Sequence, residues 1–229
     1  MNTRVKVKRP YASQLRAGQA RATRLALLEA AGHLFAQHGY AATSVEQIAD
    51  AAGVSRATVF TSVGGKPILL KGAYDVALVG DDEPISMSER PDALRAKAEP
   101  DPYKFLALYV RQLTSVHGRI AWIHEAIRGG AGADSEARAV WETVQAERAV
   151  GAEHVIADLE TKGPLRRGLD RQEAVDLLWA FIDPSQYLQL VHHRGWTAER
   201  FQDWLTATLQ AQLLDQRRKR PRNPSRAES

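Results

Sequence analysis

Hydrophobic side chains recur along most of the chain with the three- and four-residue spacing of amphipathic α-helices, and no segment keeps the alternation of a half-buried strand. The chain is therefore predicted to be all-α. The spacing predicts about nine helices, of which the second and third are short, near residues 20–38, 44–52, 56–62, 66–77, 103–117, 119–128, 135–161, 171–193 and 197–216.

Glycine and proline mark several of the predicted helix ends. Gly39 is placed to end the first helix, and His117 with Gly118 is expected to separate the fifth helix from the sixth. Pro184 lacks a backbone N–H, so it predicts a kink or a local break inside residues 171–193.

Charge and composition divide the chain into segments. The first 24 residues contain seven basic side chains and no acidic one, and they offer few large apolar groups to offset the entropy of ordering. Residues 80–102 are rich in Asp, Glu, Pro and Ser, which predicts a connector with a short helix near 93–98. We therefore expect a disordered basic arm at residues 1–19, an N-terminal helical domain at 20–71, a C-terminal helical domain at 72–216 and a disordered basic tail at 217–229.

The amino-acid composition excludes several classes of protein. The 229 residues include no cysteine, which rules out a disulfide framework, a thiolate metal site and a catalytic thiol. The first twenty residues lack the apolar core of a signal peptide, and no run approaches the ~18 to 20 apolar residues that cross a bilayer. We therefore expect a cytoplasmic protein without a membrane segment.

The formal net charge of +4 conceals a strong segregation of charge. Residues 1–71 carry 10 basic and 3 acidic side chains (+7), residues 72–216 carry 15 and 23 (−8), and residues 217–229 carry 6 and 1 (+5). A basic N-terminal segment on an acidic body indicates a polyanionic partner, with nucleic acid as the leading candidate.

Residues 44–62 have the layout of a helix-turn-helix, in which two short helices flank a tight turn. Gly53 lies in that turn, where a residue free to adopt a positive φ is wanted. Ser55 is placed to cap the second helix, whose outer side is polar. The N-terminal residues of such a helix contact base edges in the DNA major groove.

The segment from Arg24 to Leu70 resembles the DNA-binding domain of the TetR family of bacterial transcriptional regulators. It departs from the family at Phe60, where a tyrosine is usual, and at Pro67, where an acidic residue is common. The rest of the chain is similar only in architecture and in late features such as Asp183-Pro184. The motifs that carry the resemblance are Ala30-Ala31, Phe35, Gly39-Tyr40, Thr43-Ser44-Val45, Ile48-Ala49, Ala52-Gly53-Val54-Ser55 and Lys66.

The resemblance implies an N-terminal three-helix helix-turn-helix domain and a C-terminal helical domain that binds a ligand and dimerises. It further implies a homodimeric regulator, most simply a repressor that a small-molecule effector releases from a palindromic operator. It implies no enzymatic activity and no cofactor. The sequence likewise contains no Walker motif, G-x-S-x-G elbow, H-E-x-x-H pair or dinucleotide-binding glycine fingerprint, and no metal site is expected.

Eight residues are expected at the DNA interface. Arg56 begins the recognition helix, where a guanidinium can bond guanine O6 and N7, although a phosphate contact is the alternative. Thr58 is expected at a base edge or a phosphate, and Thr43 and Ser44 either hold a phosphate or only cap their helix. Phe60 is expected on the sugar backbone or in the local core. The set is Thr43, Ser44, Ser55, Arg56, Thr58, Phe60, Thr61 and Lys66, the last two as phosphate contacts.

The C-terminal domain is expected to dimerise and to hold the effector. The family forms its dimer through the last two helices, which correspond here to residues 171–193 and 197–216. An effector pocket of mainly apolar character with a few polar anchors is expected in the same domain. Its candidate residues are Tyr103, Tyr109, His117, Trp122, Trp141, Arg148, Trp179 and Phe181, and His124 and His154 are further polar candidates.

The sequence leaves three questions open. The basic arm either contacts DNA beside the operator or only aids solubility, and the basic tail has no assigned role. The protein could also be a DNA-binding regulator without an effector. A third reading is a helical small-molecule-binding protein with a vestigial helix-turn-helix.

Overall fold

The computed structural model describes residues 10–80 and 85–215, and within these ranges the chain is helical and contains no strand. A 3-10 turn (Met87–Glu89) precedes α5, and a π-helical segment (Leu188–His193) follows α9. The α-helices are α1 (Pro10–Ala42), α2 (Val45–Ala51), α3 (Arg56–Ser62), α4 (Lys66–Val79), α5 (Pro91–Ala98), α6 (Pro102–Gly130), α7 (Ser135–Glu160), α8 (Arg171–Phe181), α9 (Pro184–Tyr187) and α10 (Ala198–Leu213).

The first helix begins earlier than the sequence suggested. We expected a disordered arm through residue 19, but α1 starts at Pro10, so that expectation was wrong for residues 10–19. Proline is favourable at the first helical position, and the Ala, Arg, Gln and Leu residues that follow are good helix formers. One glycine, Gly18, costs only about 1 kcal/mol relative to alanine, which the remaining helix formers offset. Residues 1–9 and the predicted tail at 217–229 lie outside the described residues.

The N-terminal domain packs α1, α2 and α3 around a small apolar core that is closed by the start of α4. Phe35, Ile48, Val59 and Leu69 are fully buried there. Gly39 interrupts α1 with a φ of +77°, a conformation that glycine adopts without strain, and it turns the chain toward α2. The predicted helix end at Gly39 is therefore confirmed as a break in helical geometry.

The long central helix α6 corrects a second expectation. His117 and Gly118 were expected to separate two helices, but α6 runs unbroken from Pro102 to Gly130. Gly118 leaves room for a neighbour, since a Cβ added there would lie 3.5 Å from the Tyr187 hydroxyl. His117 is buried against the rings of Tyr187 and Phe201. Tertiary packing on this turn thus outweighs the low helix propensity of glycine.

The predicted break at Pro184 is confirmed. Helix α8 ends at Phe181, and Asp183 caps α9 by accepting a hydrogen bond from the Ser185 amide at 2.9 Å. Beyond the π-helical segment, α10 presents one apolar face to the interior of the C-terminal domain. Phe201, Leu205, Leu209 and Leu213 on this face are fully buried.

The two domains meet where α1 and α4 lie against α6. The Tyr40 hydroxyl donates to the Asp134 carboxylate at 3.0 Å, and its ring packs against the backbone of Gly130. On the other side, the Arg119 guanidinium donates to the carbonyls of Ala77 and Leu78 at 2.7 and 2.9 Å. Arg119 thereby satisfies carbonyls in the last turn of α4 and connects this helix to α6.

None of the helices in the described part of the chain combines the length and apolar character that a membrane-spanning helix needs.

Candidate DNA-binding surface and buried polar cluster

Two serine caps and one glycine build the helix-turn-helix. Ser44 and Gln47 form a reciprocal capping box at the start of α2, with hydrogen bonds of 3.1 and 2.7 Å. Gly53 takes a φ of +67° in the turn, where a side chain would be strained. Ser55 then caps α3 by accepting from the Thr58 amide at 3.1 Å. The sequence prediction of α2, turn and α3 is therefore confirmed.

The recognition helix α3 presents a polar and aromatic outer face. Arg56, Phe60 and Thr61 are exposed, and the Phe60 side chain is 47% accessible, so it does not fill the local core. The Arg56 guanidinium lies 5.5 Å from the centre of the Phe60 ring and forms an exposed ion pair with Glu46 of α2, at 2.8 Å. Both contacts hold the guanidinium at the first turn of α3.

Thr43 does not lie on this exposed face. Its side chain is buried, and its hydroxyl donates to the carbonyls of Gly39 at 2.8 Å and Leu34 at 3.2 Å. The hydroxyl is therefore occupied at the end of α1, and the expectation that it binds a phosphate is corrected. Ser44, which is half-buried, is the residue that caps α2.

Lys66 begins α4 but turns back toward the domain junction. Its amine lies 4.0 Å from the centre of the Tyr40 ring, a cation–π contact. Burial lowers the pKa of Lys66, and the nearby Asp134 carboxylate partly counteracts this effect. The lysine that was expected at a phosphate therefore also belongs to the contact between the two domains.

A buried polar cluster lies in the centre of the C-terminal domain. Arg148 of α7 pairs with Asp183 at 2.8 Å, with side chains only 10% and 23% exposed, and also donates to the Gln145 side chain at 2.6 Å and the Trp179 carbonyl at 2.8 Å. His117 and His124 of α6 lie within the electrostatic reach of this pair. We call the ion pair and its four polar neighbours the buried polar cluster. Its members are Arg148, Asp183, Tyr109, His117, His124 and Gln145.

Several polar atoms of the buried polar cluster have no hydrogen-bond partner among the described residues. They are Nδ1 of His117, both ring nitrogens of His124 and Nε2 of Gln145. His117 and His124 are 1% and 0% exposed, so the protein also shields these nitrogens from bulk solvent. An unpaired buried donor or acceptor costs about 1–3 kcal/mol, which makes this concentration of them unusual for a structural core.

Aromatic rings surround the cluster. The His124 ring lies 5.2 Å from that of Trp141 and 6.4 Å from that of Tyr74, which comes from α4. Burial raises the pKa of Tyr74 and of Tyr109, so both phenols are neutral. The cluster is therefore built by α6, α7 and the break between α8 and α9, and α4 borders it through Tyr74.

The structure assembles only part of the predicted effector pocket. Tyr109, His117, Trp141 and Arg148 lie together, and Trp179 contributes its carbonyl. The remaining predicted residues point away from the cluster. The Tyr103 hydroxyl donates to the Asp215 carbonyl just after α10, and Phe181 packs against the apolar core that α10 helps to form. Trp122 is 40% exposed beside His192 and His193, and His154 is exposed.

Sequence reasoning missed three participants of this region. Tyr74 lies at the apolar helical spacing of α4, and Gln145 belongs to no motif. Asp183 was noted only as the residue before Pro184, although an acidic residue at a helix break inside an apolar segment is a signal that could have identified it.

A separate open groove of about 260 Å³ lies between the end of α4 and α6. Its lining includes Val79, Met87, Gln112, Ser115 and Arg119, and it shares no residue with the buried polar cluster. Because Arg119 is engaged with the end of α4, the groove belongs to the domain junction. Among the described residues, no three His, Asp or Glu side chains are grouped as a metal site would require.

Comparison with known families identifies the N-terminal domain. Residues 27–70, from the middle of α1 to the start of α4, match the sequence model of the family described as "Bacterial regulatory proteins, tetR family". Residues 27–70 are therefore a TetR-family domain. No curated protein matches the chain in sequence.

Solved structures extend the similarity to the whole TetR-family fold. NalD from Pseudomonas aeruginosa, the secondary repressor of the MexAB-OprM multidrug efflux pump, is 23% identical with a TM-score of 0.63, covering 86% of this chain and 97% of NalD. FadR from Bacillus subtilis, solved with stearoyl-CoA, is 17% identical with a TM-score of 0.63, covering 81% and 96%. The C-terminal domain therefore shares the fold of the corresponding domain in these two proteins.

We expect the two buried histidines to make the stability of the protein depend on pH. Burial lowers the pKa of His117 to about 3 and of His124 to about 4, whereas an unfolded histidine titrates near ~6.5. As the pH falls below that value, the unfolded chain takes up protons that the folded chain does not. We expect the free energy of unfolding to fall between pH 7 and 4.5, with each histidine contributing up to about 1.4 kcal/mol per pH unit.

Urea unfolding at several pH values measures this dependence. His117→Phe and His124→Phe should each reduce the slope, and the double variant should reduce it by the sum of both effects. A slope that is the same in the double variant and in the wild type would show that these histidines are not the neutral buried groups described here.

Proposed function

We propose that this protein is a homodimeric transcriptional repressor that binds a palindromic DNA operator through α3 and is released from it by a small molecule. The observation that carries the DNA-binding part is the exposed guanidinium of Arg56 at the first turn of α3, inside a TetR-family domain. From this position an arginine can bond two acceptors of guanine in the major groove.

Ser44, Ser55, Thr58, Phe60, Thr61 and Lys66 are the other proposed contacts. The N-termini of α2 and α3 are capped by serines and offer backbone N–H groups to phosphates. The exposed Phe60 ring is available to the sugar backbone. The net charge of +7 over residues 1–71 supports an anionic partner for the N-terminal arm and domain together.

Dimerisation is proposed through α8 and α10. Each helix buries one face in its own domain, while Trp179 and Ala180 of α8 and Ala207 and Ala211 of α10 remain exposed. A two-fold dimer formed by these faces would present two copies of α3 to two half-sites, as a palindromic operator requires.

Effector release is supported by the position of the buried polar cluster beside α4. Tyr74 of α4 packs on His124, and the same helix carries Lys66 at the DNA-binding end and accepts hydrogen bonds from Arg119 at the other. A ligand that changes the packing of Tyr74 therefore acts on the helix that positions the helix-turn-helix. Such a ligand shifts the population between two conformations, and a coupling of about 1–3 kcal/mol would change operator affinity about 5- to 150-fold.

Two structural relatives are consistent with this proposal. NalD is a repressor, and the FadR structure holds stearoyl-CoA. These properties belong to those proteins, and they support the present proposal only because the fold is shared.

Selection of DNA sequences from a random duplex pool tests the proposed function directly. We expect the full chain to enrich one palindromic motif at physiological salt, and to bind it with a stoichiometry of two chains per duplex in sedimentation analysis. Enrichment of no motif would contradict DNA recognition and favour the vestigial helix-turn-helix. An enriched motif whose affinity no small molecule alters would favour a regulator without an effector.

A further inference from the structure

We propose that the buried polar cluster binds an uncharged molecule with a hydroxyl group on a compact aromatic body. This inference rests on the proposed function, because it assigns a chemical class to the effector. Three observations carry it: the unpaired polar atoms of the cluster, its balanced charge and the rings around it.

The unpaired atoms require a ligand that both donates and accepts hydrogen bonds. Gln145 is oriented by the hydrogen bond from Arg148 to its carbonyl oxygen, so its buried NH₂ group is left as a donor. His117 has a backbone hydrogen bond to Ile182 but no partner at Nδ1. In the neutral His117 ring, Nε2 is then the nitrogen that donates to the Ile182 backbone, and Nδ1 is left as an acceptor.

His124 adds one more donor and one more acceptor. Both of its nitrogens are unpaired among the described residues, and a neutral imidazole carries its proton on only one of them. A hydroxyl group is the smallest function that can accept from one of these groups and donate to another. An apolar ligand would leave all four atoms unpaired.

The charge of the cluster favours an uncharged ligand. Arg148 is already neutralised by Asp183 at 2.8 Å, and burial keeps His117 and His124 neutral at physiological pH. A carboxylate would have to displace Asp183, which also caps α9 through the Ser185 amide. An ammonium group would meet no carboxylate in the cluster other than the one that Arg148 holds. A charged group placed here without a partner is strongly disfavoured.

The rings around His124 favour a flat aromatic body. Trp141 and Tyr74 lie on α7 and α4, at ring distances of 5.2 and 6.4 Å from His124. Aromatic groups prefer tilted or offset neighbours at such distances, so an aromatic ligand can replace or extend these contacts.

Four probes with the same body and different polar groups test the proposal: 4-ethylphenol, ethylbenzene, 4-ethylbenzoate and 4-ethylbenzylamine. Calorimetric titration of the full chain at pH 7.5 gives each affinity, and thermal unfolding gives an independent ranking. We expect 4-ethylphenol to bind at least about tenfold more tightly than ethylbenzene, because its hydroxyl satisfies buried groups. We expect the two charged probes to bind more weakly than ethylbenzene.

Variants locate the binding and control for folding. His117→Phe and His124→Phe keep a buried ring but remove the unpaired nitrogens, so each should lower the preference for 4-ethylphenol over ethylbenzene by about fivefold or more. At pH 7.5, His124→Phe should be no less stable than the wild type, since an unsatisfied polar group is replaced by an apolar one. His117→Phe also loses the hydrogen bond with the Ile182 backbone, so thermal unfolding verifies that this variant is folded before its binding is compared. The matched control is His154→Phe, which makes the same change at an exposed position of α7.

Three outcomes would overturn the proposal: none of the probes binds, a charged probe binds most tightly, or both His117→Phe and His124→Phe retain the full preference. Operator affinity, measured separately, reports on the proposed function. A 4-ethylphenol that binds at the cluster without altering operator affinity supports the ligand class and contradicts effector release. A charged molecule that releases the operator contradicts the ligand class and supports effector release.

Discussion

Replacement of Asp183 by asparagine is expected to lower the free energy of unfolding by about 3 kcal/mol, because it leaves the Arg148 guanidinium buried without a counterion. Arg148 is 10% exposed and its ion pair with Asp183 measures 2.8 Å. Asparagine keeps an oxygen that can cap α9 at the Ser185 amide, so the change removes mainly the charge. Urea unfolding at pH 7 measures the effect.

An exposed ion pair provides the matched control. Asp92 and Arg95 also pair, at 3.0 Å, but their side chains are about 60% exposed. Asp92→Asn should therefore cost less than about 1 kcal/mol. The double variant Arg148→Met, Asp183→Asn removes both charges and should recover much of the loss. Equal destabilisation by Asp183→Asn and Asp92→Asn would show that the buried ion pair contributes no more to the free energy of unfolding than the exposed one.

Replacement of Arg56 by alanine is expected to weaken binding to the selected operator by about 1–3 kcal/mol, or about 5- to 150-fold, and to relax the preference at one position of each half-site. The reason is the loss of a two-point contact to a base, which a phosphate contact would not provide. Fluorescence anisotropy against the operator and against each single-base variant measures both effects.

Two further variants separate the possible roles of Arg56. Arg138→Ala removes an exposed arginine of α7, outside the helix-turn-helix, and should leave operator binding unchanged. Glu46→Gln removes the carboxylate that pairs with Arg56, and should raise affinity for all sequences slightly because less negative charge faces the DNA. A uniform loss of affinity in Arg56→Ala, with unchanged base preference, would assign Arg56 to a phosphate.

Local sequence signals predicted the N-terminal domain well. Ser44 and Ser55 cap helices whose apolar residues follow at once, and Gly53 supplies the positive φ of the turn between them. These are interactions between residues close in the chain, so their patterns can be recognised without a structure. Thr43 shows the limit of such signals, because only the structure shows that its hydroxyl is turned inward to Gly39.

Sequence predictions were weaker for features that depend on packing between residues far apart in the chain. The helix boundary expected at Gly118 does not exist, since Tyr187, far away in the chain, packs against that turn of α6. Of the aromatic residues expected in the effector pocket, Trp122 faces outward while Tyr109 is half-buried and packs against the core of the C-terminal domain. Both are aromatic residues at helical spacing, and their sequence context does not distinguish them.

The sequence by itself determined the all-helical class, the helix-turn-helix whose second helix begins at Arg56, and the family of the N-terminal domain. Each of these depends on helical periodicity, on caps or on turn chemistry, which act within a few residues. Only the tertiary structure decided that Tyr74, His117, His124, Arg148 and Asp183 lie close together in the C-terminal domain. These side chains come from α4, α6, α7 and the break after α8. The buried Arg148–Asp183 pair and the unpaired nitrogens of His117 and His124 result from the packing of those helices, which no local pattern records.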